Sequence, residues 1–579
     1  MTHRRPRALW DAPRGHTLVE VVSMPAAGFP DETALYLSTD GRIFEPLTWA
    51  ALWRDACRLA HRVSSPALRP GQPVLLVAPT SAAFVTSFFG ILAAGGVPVP
   101  VAPPASVRPA RLEWYRSHLT SIAEDSGARA VVTTTRYREA LQAWAEGLPW
   151  RLEVLDAESA EAGPDTPPAL PPHPGALALL QYTSGSTSRP KGVALTHANV
   201  VANMALIAEA IVHEHSAGVS WLPLYHDMGL IGALLSALYS RTPLLLMPTA
   251  LFIKEPASWL RAIAGFGGTI TLAPNFAFGH VTRHAAPEAL AGVSLAGLET
   301  VLNGAEPIDS AAIAAFEKTF AGLGLPPGVV RPVYGLAESA LAVTFADRGA
   351  PIVDVVDADA LERDGRAVPA APGARTRRFV AVGRPLRTQE VRIVGPDDCP
   401  CPERTVGEIV VRGPSVMQGY YGRPAETREA LRGGWLHTGD LGYFADGRLL
   451  LTSRLKDLII RRGRNYYPAD IERVVGATDG VLRGGAAAFG LDAGGGERVV
   501  IVAETKLRDA EALAALQRAI RERCHDAFLF GPDDVRLVAA GGIPRTTSGK
   551  VRRRECRQQY LAAGLPIVSE GWGARPPDE

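Results

Sequence analysis

Strand-like apolar runs alternate with helix-like stretches through the first 340 residues of the chain. The runs include VVSMP, VLLVAP, ARAVVTTT, ALALLQY, TPLLLMP, GTITLAP and LETVLNG, and TWAALWRDACRLAHRV has the spacing of an amphipathic helix. Short apolar runs bounded by turn residues are typical of strands that are buried on both faces. The alternation therefore predicts an α/β fold with doubly wound parallel sheets.

The pattern changes near residue 378, and short β-like runs separated by glycine and proline continue to residue 455. FVAVGRPL, QEVRIVGP, GEIVVRGP and RLLLTSR predict a small β subdomain. Beyond SRLKD, the helical patterns DIERVVG and AEALAALQRAIRERCHDAF mix with the strand patterns GGAAAFGL, RVVIVAETK and DVRLVAA. We therefore expect an N-terminal domain over residues 1–455, with two doubly wound β/α subdomains plus the β subdomain, and an α+β C-terminal domain over residues 456–579.

Residues 71–107 contain no charged side chain and are long enough to suggest a membrane span. Glycine and proline residues divide the stretch into VLLVAP, TSAAFVTSFFGILAAGG and VPVPVAPP, which favours a strand, a buried helix and a second strand over a transmembrane segment. The basic N-terminus lacks the apolar segment of a signal peptide.

Composition narrows the class of protein. The 60 Lys and Arg residues nearly balance the 59 Asp and Glu residues, which argues against nucleic acid as the main partner. The five cysteines form neither a zinc pattern nor an even disulfide framework, and Cys399 and Cys401 are interpreted as loop residues. A reducing, cytoplasmic location fits this usage.

The stretch QYTSGSTSRPKGVALTHANV, residues 181–200, contains the first candidate for a functional site. Glycines and hydroxyl side chains suit a concave surface that binds phosphate oxygens. We predict a strand ending in ALALLQY, a loop, and a helix that is capped by Thr196. Gly192 follows Lys191 where a Walker-type loop has a hydroxyl residue, so that motif is disfavoured, and an ordinary Ser/Thr/Gly linker stays open on this stretch alone.

Four further stretches follow in a fixed order: YGLAES at 334–339, GWLHTGDLG at 434–442, SRLKDLIIRRGRNYYPADIE at 453–472 and IPRTTSGKVRRR at 543–554. Together with TSGSTSRPKG at 183–192, they resemble the phosphate, adenine, ribose, hinge and catalytic-loop motifs of the adenylate-forming ligases. These include acyl-CoA synthetases, nonribosomal adenylation domains and luciferases. The resemblance implies ATP and Mg²⁺ as cofactors and a mobile C-terminal lid domain.

The resemblance also assigns roles to individual residues. Those expected to bind ATP are Thr183, Ser184, Gly185, Ser186, Thr187 and Lys191 at the phosphates, Gly304, Ala305, Glu306, Tyr334, Gly335, Leu336 and Ala337 at the adenine, Asp440 and Arg454 at the ribose, and Lys550 at the α-phosphate. Thr183 and Glu338 would hold magnesium, which prefers oxygen ligands. Lys550, His226 and Lys191 are the expected catalytic residues, and Lys456 is the expected hinge.

WLPLYHDMGLIGALLSALY at 221–239 and VLNGAEPI at 301–308 resemble one branch, the fatty acyl-AMP ligases. Residues 346–378 resemble the insertion of that branch, which is thought to restrain the lid and disfavour coenzyme A; a surface loop without consequence is the alternative. The branch implies a fatty acid substrate and an acyl carrier protein in trans. The candidate walls of its acyl pocket are Met228, Ile231, Leu235, Phe276 and Phe278, although their periodicity alone is that of ordinary core.

Two other functions stay open on the sequence. One is a fatty acyl-CoA synthetase, and the other is a non-catalytic nucleotide-binding paralogue. Intact Lys191, Glu338, Asp440, Arg454 and Lys550 argue against the second.

Overall fold

The computed structural model describes residues 6–64, 69–104, 109–159, 163–169, 172–183, 190–461, 464–492, 497–528, 530–545 and 550–568. The predictions for Ser184, Gly185, Ser186 and Thr187 therefore lie outside the described residues. In the described part, no helix is both long and apolar enough to cross a membrane.

The described chain alternates helices and strands along its length. Its α-helices are α1 (Arg7–Asp11), α2 (Leu18–Gly28), α3 (Trp49–Val63), α4 (Ala82–Ala93), α5 (Pro109–Ser126), α6 (Thr135–Glu146), α7 (His197–Ile211), α8 (Ser236–Ser240), α9 (Thr249–Lys254), α10 (Ala257–Phe266), α11 (Asn275–His284), α12 (Ser310–Phe320), α13 (Ala358–Asp364), α14 (Pro424–Ala430), α15 (Pro468–Gly476), α16 (Ala510–Phe528) and α17 (Arg553–Leu561). Met228–Leu235 is a π-helix, and Pro287–Leu290, Ala321–Leu323, Ala337–Ser339 and Leu455–Asp457 are 3₁₀ turns.

The strands of the N-terminal part up to residue 345 are β1 (Thr33–Leu37), β2 (Glu45–Thr48), β3 (Pro73–Val77), β4 (Val97–Val101), β5 (Ala130–Thr133), β6 (Glu153–Asp156), β7 (Leu177–Thr183), β8 (Lys191–Thr196), β9 (Gly218–Ser220), β10 (Leu244–Leu246), β11 (Ile270–Pro274), β12 (Thr300–Gly304), β13 (Val330–Gly335) and β14 (Ala342–Phe345). They are followed by β15 (Val353–Asp357), β16 (Thr376–Val380), β17 (Arg384–Pro385), β18 (Glu390–Val394), β19 (Gly407–Arg412), β20 (Gly419–Tyr420), β21 (Leu431–Arg432), β22 (Trp435–Ala445), β23 (Arg448–Arg454), β24 (Ile459–Arg461), β25 (Arg464–Tyr466), β26 (Val481–Asp492), β27 (Glu497–Thr505) and β28 (Asp534–Ala539).

Two largely parallel sheets dominate the first part of the chain, as the alternating pattern predicts. One has nine strands in the order β17-β14-β13-β12-β11-β9-β10-β1-β2, and its strands from β13 to β1 are parallel. The other is the parallel sheet β4-β3-β5-β6. The uncharged stretch forms β3, α4 and β4, and the side chains of both strands are buried, so the strand–helix–strand prediction is confirmed.

Two local predictions are wrong. VVSMP lies in α2 and not in a strand, because Thr17 and Glu20 form a reciprocal capping box that starts a helix there. KGVALT forms β8, which pairs antiparallel with β7, so the phosphate stretch joins two strands and not a strand and a helix. The helix α7 begins only after β8, where Thr196 caps it as expected.

The region from residue 346 to 378 folds against its surroundings. It contains β15, α13 and part of β16, and β15 pairs antiparallel with β16. Side chains of this region share a buried cluster with Tyr443 of β22 and with Tyr467, which lies just before α15. The region therefore packs against other parts of the protein, and its restraining role stays a prediction.

Ion pairs join this region to the C-terminal part of the chain. Arg377 pairs with Asp470 and lies over the ring of Tyr467, with the guanidinium carbon 4.0 Å from the ring centroid. Arg375 and Arg464 both pair with Asp359. We call the set Asp359, Glu362, Arg375, Arg377, Arg464, Tyr467 and Asp470 the inter-domain latch.

The C-terminal part builds its own core around the sheet β26-β27-β28, against which α15 and α16 pack. It follows the 3₁₀ turn Leu455–Asp457, near the predicted boundary. The division into residues 1–455 and 456–579 stays a prediction.

Candidate active site

The carboxyl ends of adjacent parallel strands bring several predicted residues to one edge of the large sheet. Strand β12 leads into Ala305 and Glu306, β13 ends at Gly335, and β11 leads into Phe276. Strand β9 is followed by the segment that carries His226. Ligands of open α/β sheets bind at this edge, so the topology alone selects it as the candidate site.

Strands β7 and β8 form the hairpin that presents the phosphate stretch. Thr183 lies opposite Lys191 in the register, and Tyr182 lies opposite Gly192. A Cβ atom at Gly192 would lie 3.0 Å from the Tyr182 ring, so a larger residue there would press on that ring. The Tyr182 hydroxyl donates to Asp125 of α5, so the hairpin is anchored on its outer side.

The segments predicted to bind adenine contain one residue in a strained backbone conformation and one glycine that lies very close to a neighbouring backbone. Ala305 has a φ of 68°, a left-handed conformation that is uncommon without glycine and tends to occur at functional sites. At Gly335, a Cβ atom would lie 2.0 Å from the carbonyl oxygen of Leu341, so only glycine fits. The backbones predicted to flank adenine are therefore held in conformations that few other residues allow.

Tyr334, Asp440 and Arg454 form one hydrogen-bonded group. The Tyr334 hydroxyl donates to Asp440 Oδ2 at 2.8 Å, and Arg454 Nε donates to Asp440 Oδ1 at 3.1 Å. Burial and the nearby Asp440 raise the pKa of Tyr334, so its hydroxyl stays protonated. Strands β22 and β23 bring Asp440 and Arg454 together because the two residues are register partners. Tyr334, predicted at the adenine, and the residues predicted to bind the ribose thus belong to one hydrogen-bonded group.

Lys550 reaches this site from the C-terminal part of the chain. It lies within electrostatic range of the carboxylates of Asp227, Glu306 and Asp440. Burial, reinforced by the Arg454 guanidinium, lowers the pKa of Lys550, and the three carboxylates oppose that shift. A half-buried ammonium at this position is suited to stabilise anionic charge that develops beside it.

His226 and Asp227 precede the π-helix Met228–Leu235. His226 Nδ1 lies 2.7 Å from Asp227 Oδ1, which also accepts a hydrogen bond from the amide of Met228. Burial opposes ionisation of Asp227, but His226, Lys550 and this amide together lower its pKa. The sequence analysis assigned no role to Asp227, and its position directly after His226 was the available signal.

Glu338 accepts a hydrogen bond from Tyr420, a residue that the sequence did not indicate. The Tyr420 hydroxyl donates to Glu338 Oε1 at 2.9 Å, and Lys191 Nζ lies 4.8 Å from the centroid of the Tyr420 ring. Tyr420 is far from both residues in the chain, and no local pattern marks it.

The predicted acyl-pocket residues do not form one group. Ile231 and Leu235 are fully buried in one core, whereas Met228 and Phe278 belong to a second. Phe276 is 38% exposed, and its backbone amide donates to Glu306. Phe276 and Met228 both lie next to carboxylates near Lys550, because the amide of Phe276 donates to Glu306 and the amide of Met228 donates to Asp227.

Lys456 lies in the exposed turn Leu455–Asp457, and its ammonium is 3.7 Å from Glu429. Arg553 of α17 pairs with Asp457 in the same turn at 3.0 Å. The turn therefore connects directly to the helix that follows Lys550. Its role as a hinge stays a prediction.

Within the described ranges, no cluster of three or more His, Cys, Asp or Glu residues is suited to hold a metal ion. The candidate set for magnesium consists of one carboxylate, from Glu338, and one hydroxyl, from Thr183. Both supply oxygen ligands, and Mg²⁺ commonly binds through one or two carboxylates plus substrate phosphates. The residues therefore fit magnesium that arrives with a nucleotide.

Two family models match successive parts of the chain. The AMP-binding enzyme family matches residues 23–421, and the AMP domain of Disco-interacting protein 2-like proteins matches residues 456–570. A Caulobacter vibrioides protein described as an acyl-CoA synthetase is 34% identical over 94% of this chain and 95% of its own length. The long-chain-fatty-acid–AMP ligase FadD26 of Mycobacterium tuberculosis is 33% identical over 93% of this chain and 96% of its own.

The medium-chain-fatty-acid–[acyl-carrier-protein] ligase JamA of Moorena producens is 35% identical, covering 86% of this chain and 87% of its own. A solved structure from studies of fatty acyl-adenylate ligases of E. coli and L. pneumophila superposes with a TM-score of 0.89, at 34% identity, over 96% of this chain and 99% of that one. The predicted α/β architecture is confirmed. The chain belongs to the AMP-binding enzyme family, and its relatives in that family include fatty acyl-AMP ligases.

Proposed function

We propose that this protein activates a fatty acid with ATP to an acyl-adenylate, releases pyrophosphate, and transfers the acyl group to the phosphopantetheine thiol of an acyl carrier protein. The observation that carries the proposal is the hydrogen-bonded group of Tyr334, Asp440 and Arg454, with Lys550 within electrostatic range of Asp440. The relatives named as fatty acid–AMP ligase and as acyl-carrier-protein ligase support both half-reactions. AMP-binding adenylate-forming enzymes use ATP, which supports ATP as the nucleotide.

In the first half-reaction, a carboxylate oxygen of the fatty acid attacks the α-phosphorus, and the bond to the β-phosphate oxygen breaks as pyrophosphate leaves. Two anions must approach each other in this step. Lys550 is the positioned cation that offsets the charge they bring together. His226, held by Asp227, orients the carboxylate and phosphates beside it.

The nucleotide is held by three groups of residues in this proposal. Tyr334 and the Gly304–Glu306 backbone contact the adenine together with Gly335, Leu336 and Ala337, while Asp440 and Arg454 bind the ribose. Lys191 binds the β- and γ-phosphates with Ser184, Gly185, Ser186 and Thr187, which lie outside the described residues. Thr183 and Glu338 would hold Mg²⁺, which when bound offsets the charge of the phosphate oxygens.

In the second half-reaction, the thiol attacks the acyl carbonyl carbon, and the carbon–oxygen bond to AMP breaks. The C-terminal domain must turn about Lys456 so that the stretch around Gly463, outside the described residues, meets the thiol. The inter-domain latch resists this turn because it ties β25 and α15 to residues 346–378. Carrier docking would then supply the binding energy that opens the latch, and free coenzyme A would not.

The proposal locates the enzyme in the cytoplasm, and the five cysteines, all free thiols, are consistent with a reducing compartment. A fatty acyl-CoA synthetase is the second candidate function. It is favoured by one specific observation, the relative from Caulobacter vibrioides that is described as an acyl-CoA synthetase.

A single assay distinguishes the functions. The purified protein is incubated with ATP, Mg²⁺ and a labelled fatty acid, and coenzyme A or a pantetheinylated carrier protein is added in turn. Acyl-AMP that is consumed only by the carrier supports the proposal, whereas abundant acyl-CoA supports the synthetase. Absence of any adenylate across fatty acids of different length overturns both and leaves the non-catalytic paralogue.

A further inference from the structure

Tyr420 lies between two residues that act on the same nucleotide in the proposed function. Its hydroxyl donates to Glu338 Oε1 at 2.9 Å, and the face of its ring lies 4.8 Å from Lys191 Nζ. Tyr420 itself is partly buried. One side chain therefore touches the candidate magnesium ligand with its polar end and the candidate phosphate ligand with its ring.

The backbone around Tyr420 is fixed to both partners. Strand β20 pairs antiparallel with β8, and Tyr420 lies opposite Val193, two residues after Lys191. The amide of Met417 donates to the carbonyl oxygen of Glu338 at 2.9 Å. This segment thus joins the Glu338 turn and the phosphate hairpin through main-chain bonds.

A third bond fixes the residue itself. The Tyr420 amide donates to Thr427 Oγ1 at 2.9 Å, so α14 holds the strand from its other side. Side chains that are supported on rigid elements hold a site in its productive geometry more closely than side chains on loops.

We propose that Tyr420 is a positioning residue that couples the metal side and the phosphate side of the nucleotide site. The hydroxyl orients the Glu338 carboxylate toward Mg²⁺, and the ring face holds the Lys191 ammonium by a cation–π contact. The inference rests on the proposed function for the identity of the nucleotide, but binding measurements test it without turnover. Because the two contacts use different parts of one side chain, two substitutions separate them.

The test measures binding of a non-hydrolysable ATP analogue by titration calorimetry, once with Mg²⁺ and once with EDTA. Tyr420→Phe removes only the hydroxyl, and we expect it to weaken Mg²⁺-dependent binding by roughly 10-fold to 100-fold, the typical loss for a hydrogen bond to a charged group, with EDTA binding unchanged. Tyr420→Leu also removes the ring, and we expect a further loss of about 3-fold to 10-fold under both conditions. Tyr421→Phe, which alters the neighbouring tyrosine, is the matched control and leaves both affinities unchanged.

A double substitution checks the ring contact. In the Lys191→Met background, Tyr420→Leu should cause no further loss with EDTA, because the cation that the ring holds is gone. The KM for the fatty acid should stay within about 2-fold in Tyr420→Phe, since this hydroxyl does not face the acyl site in the proposal.

Three results would overturn the inference: unchanged affinity in the presence of Mg²⁺ for Tyr420→Phe, equal losses with Mg²⁺ and EDTA in that variant, or additive losses for Lys191→Met and Tyr420→Leu. Failure of the proposed function would look different. The wild-type protein would then bind the analogue with Mg²⁺ yet form no acyl-adenylate, and the Tyr420 comparison would still decide the inference.

Discussion

Replacing Arg377 with methionine should release the C-terminal domain without damaging the nucleotide site. Methionine keeps the length and apolar stem of the side chain but removes the guanidinium that pairs with Asp470 and lies over Tyr467. The hydrogen bonds that join Tyr334, Asp440 and Arg454 involve none of these residues. We therefore expect adenylate formation to stay within about 3-fold of wild type, because this group keeps its contacts and the latched orientation, which brings Lys550 to the site, remains populated.

The size of the effect follows from the burial of the pair. The side chain of Arg377 is 9% exposed and that of Asp470 is 22% exposed, so the substitution leaves a largely buried carboxylate without its partner. Breaking a fully buried pair costs about 3–5 kcal/mol, and partial exposure of Asp470 reduces that figure to roughly 2 kcal/mol. That amount corresponds to a shift of about 30-fold in the equilibrium between the latched and released orientations.

The assay measures acyl-CoA formation and the distance between fluorescent labels on the two domains. We expect acyl-CoA to increase by about 10-fold or more, together with a lower fluorescence transfer, since the released orientation becomes more populated. Arg378→Met, on the exposed face of the same strand, is the matched control and should change neither signal. If Arg377→Met behaves like Arg378→Met, the latch is not what holds the domain.

The remaining predictions concern the catalytic lysine, the hinge and a buried histidine. Lys550→Ala should preserve folding but reduce adenylate formation by about 100-fold to 1,000-fold, as measured by pyrophosphate release, and an unchanged rate would remove Lys550 from the mechanism. Lys456→Pro fixes φ at about −65° and should therefore trap the C-terminal domain in one orientation. Adenylation should persist while transfer to the carrier is lost. Equal loss of both steps would refute rotation about this residue. His197 accepts a hydrogen bond from the amide of Leu18, and burial lowers the pKa of His197 to about 4 from its ordinary 6.5. Since the folded protein holds this histidine neutral, stability should fall as the pH drops from 6.5 toward 4, by up to about 3 kcal/mol. His197→Gln should flatten that part of the urea-denaturation profile, and an unchanged pH dependence would contradict the assignment.

Much of the fold could be predicted from local sequence patterns. Thr196 caps α7 as expected, and the division of residues 71–107 at glycine and proline gave two strands and a helix. The pattern AEALAALQRAIRERCHDAF coincides with α16. These elements are encoded by short-range periodicity and caps, which the sequence displays directly.

Contacts between distant parts of the chain could not be predicted in the same way. Tyr420 meets Glu338 only because β20 pairs with β8, a pairing that no local pattern reveals. The proposed acyl residues had the right polarity, but Ile231 and Leu235 face a different core from Met228. One helix has several apolar faces, and only the tertiary packing decides which of them each residue joins.

Transfer of oxygen from the fatty acid to AMP tests the central claim most directly. The fatty acid is labelled with ¹⁸O in its carboxylate and incubated with the protein, ATP, Mg²⁺ and a pantetheinylated carrier, and the AMP is analysed by mass spectrometry. Attack by the carboxylate on the α-phosphorus, followed by cleavage of the acyl carbon–oxygen bond, leaves one ¹⁸O atom in each AMP molecule. AMP that contains no label, or production of ADP instead of AMP, would contradict adenylation of the fatty acid by this protein.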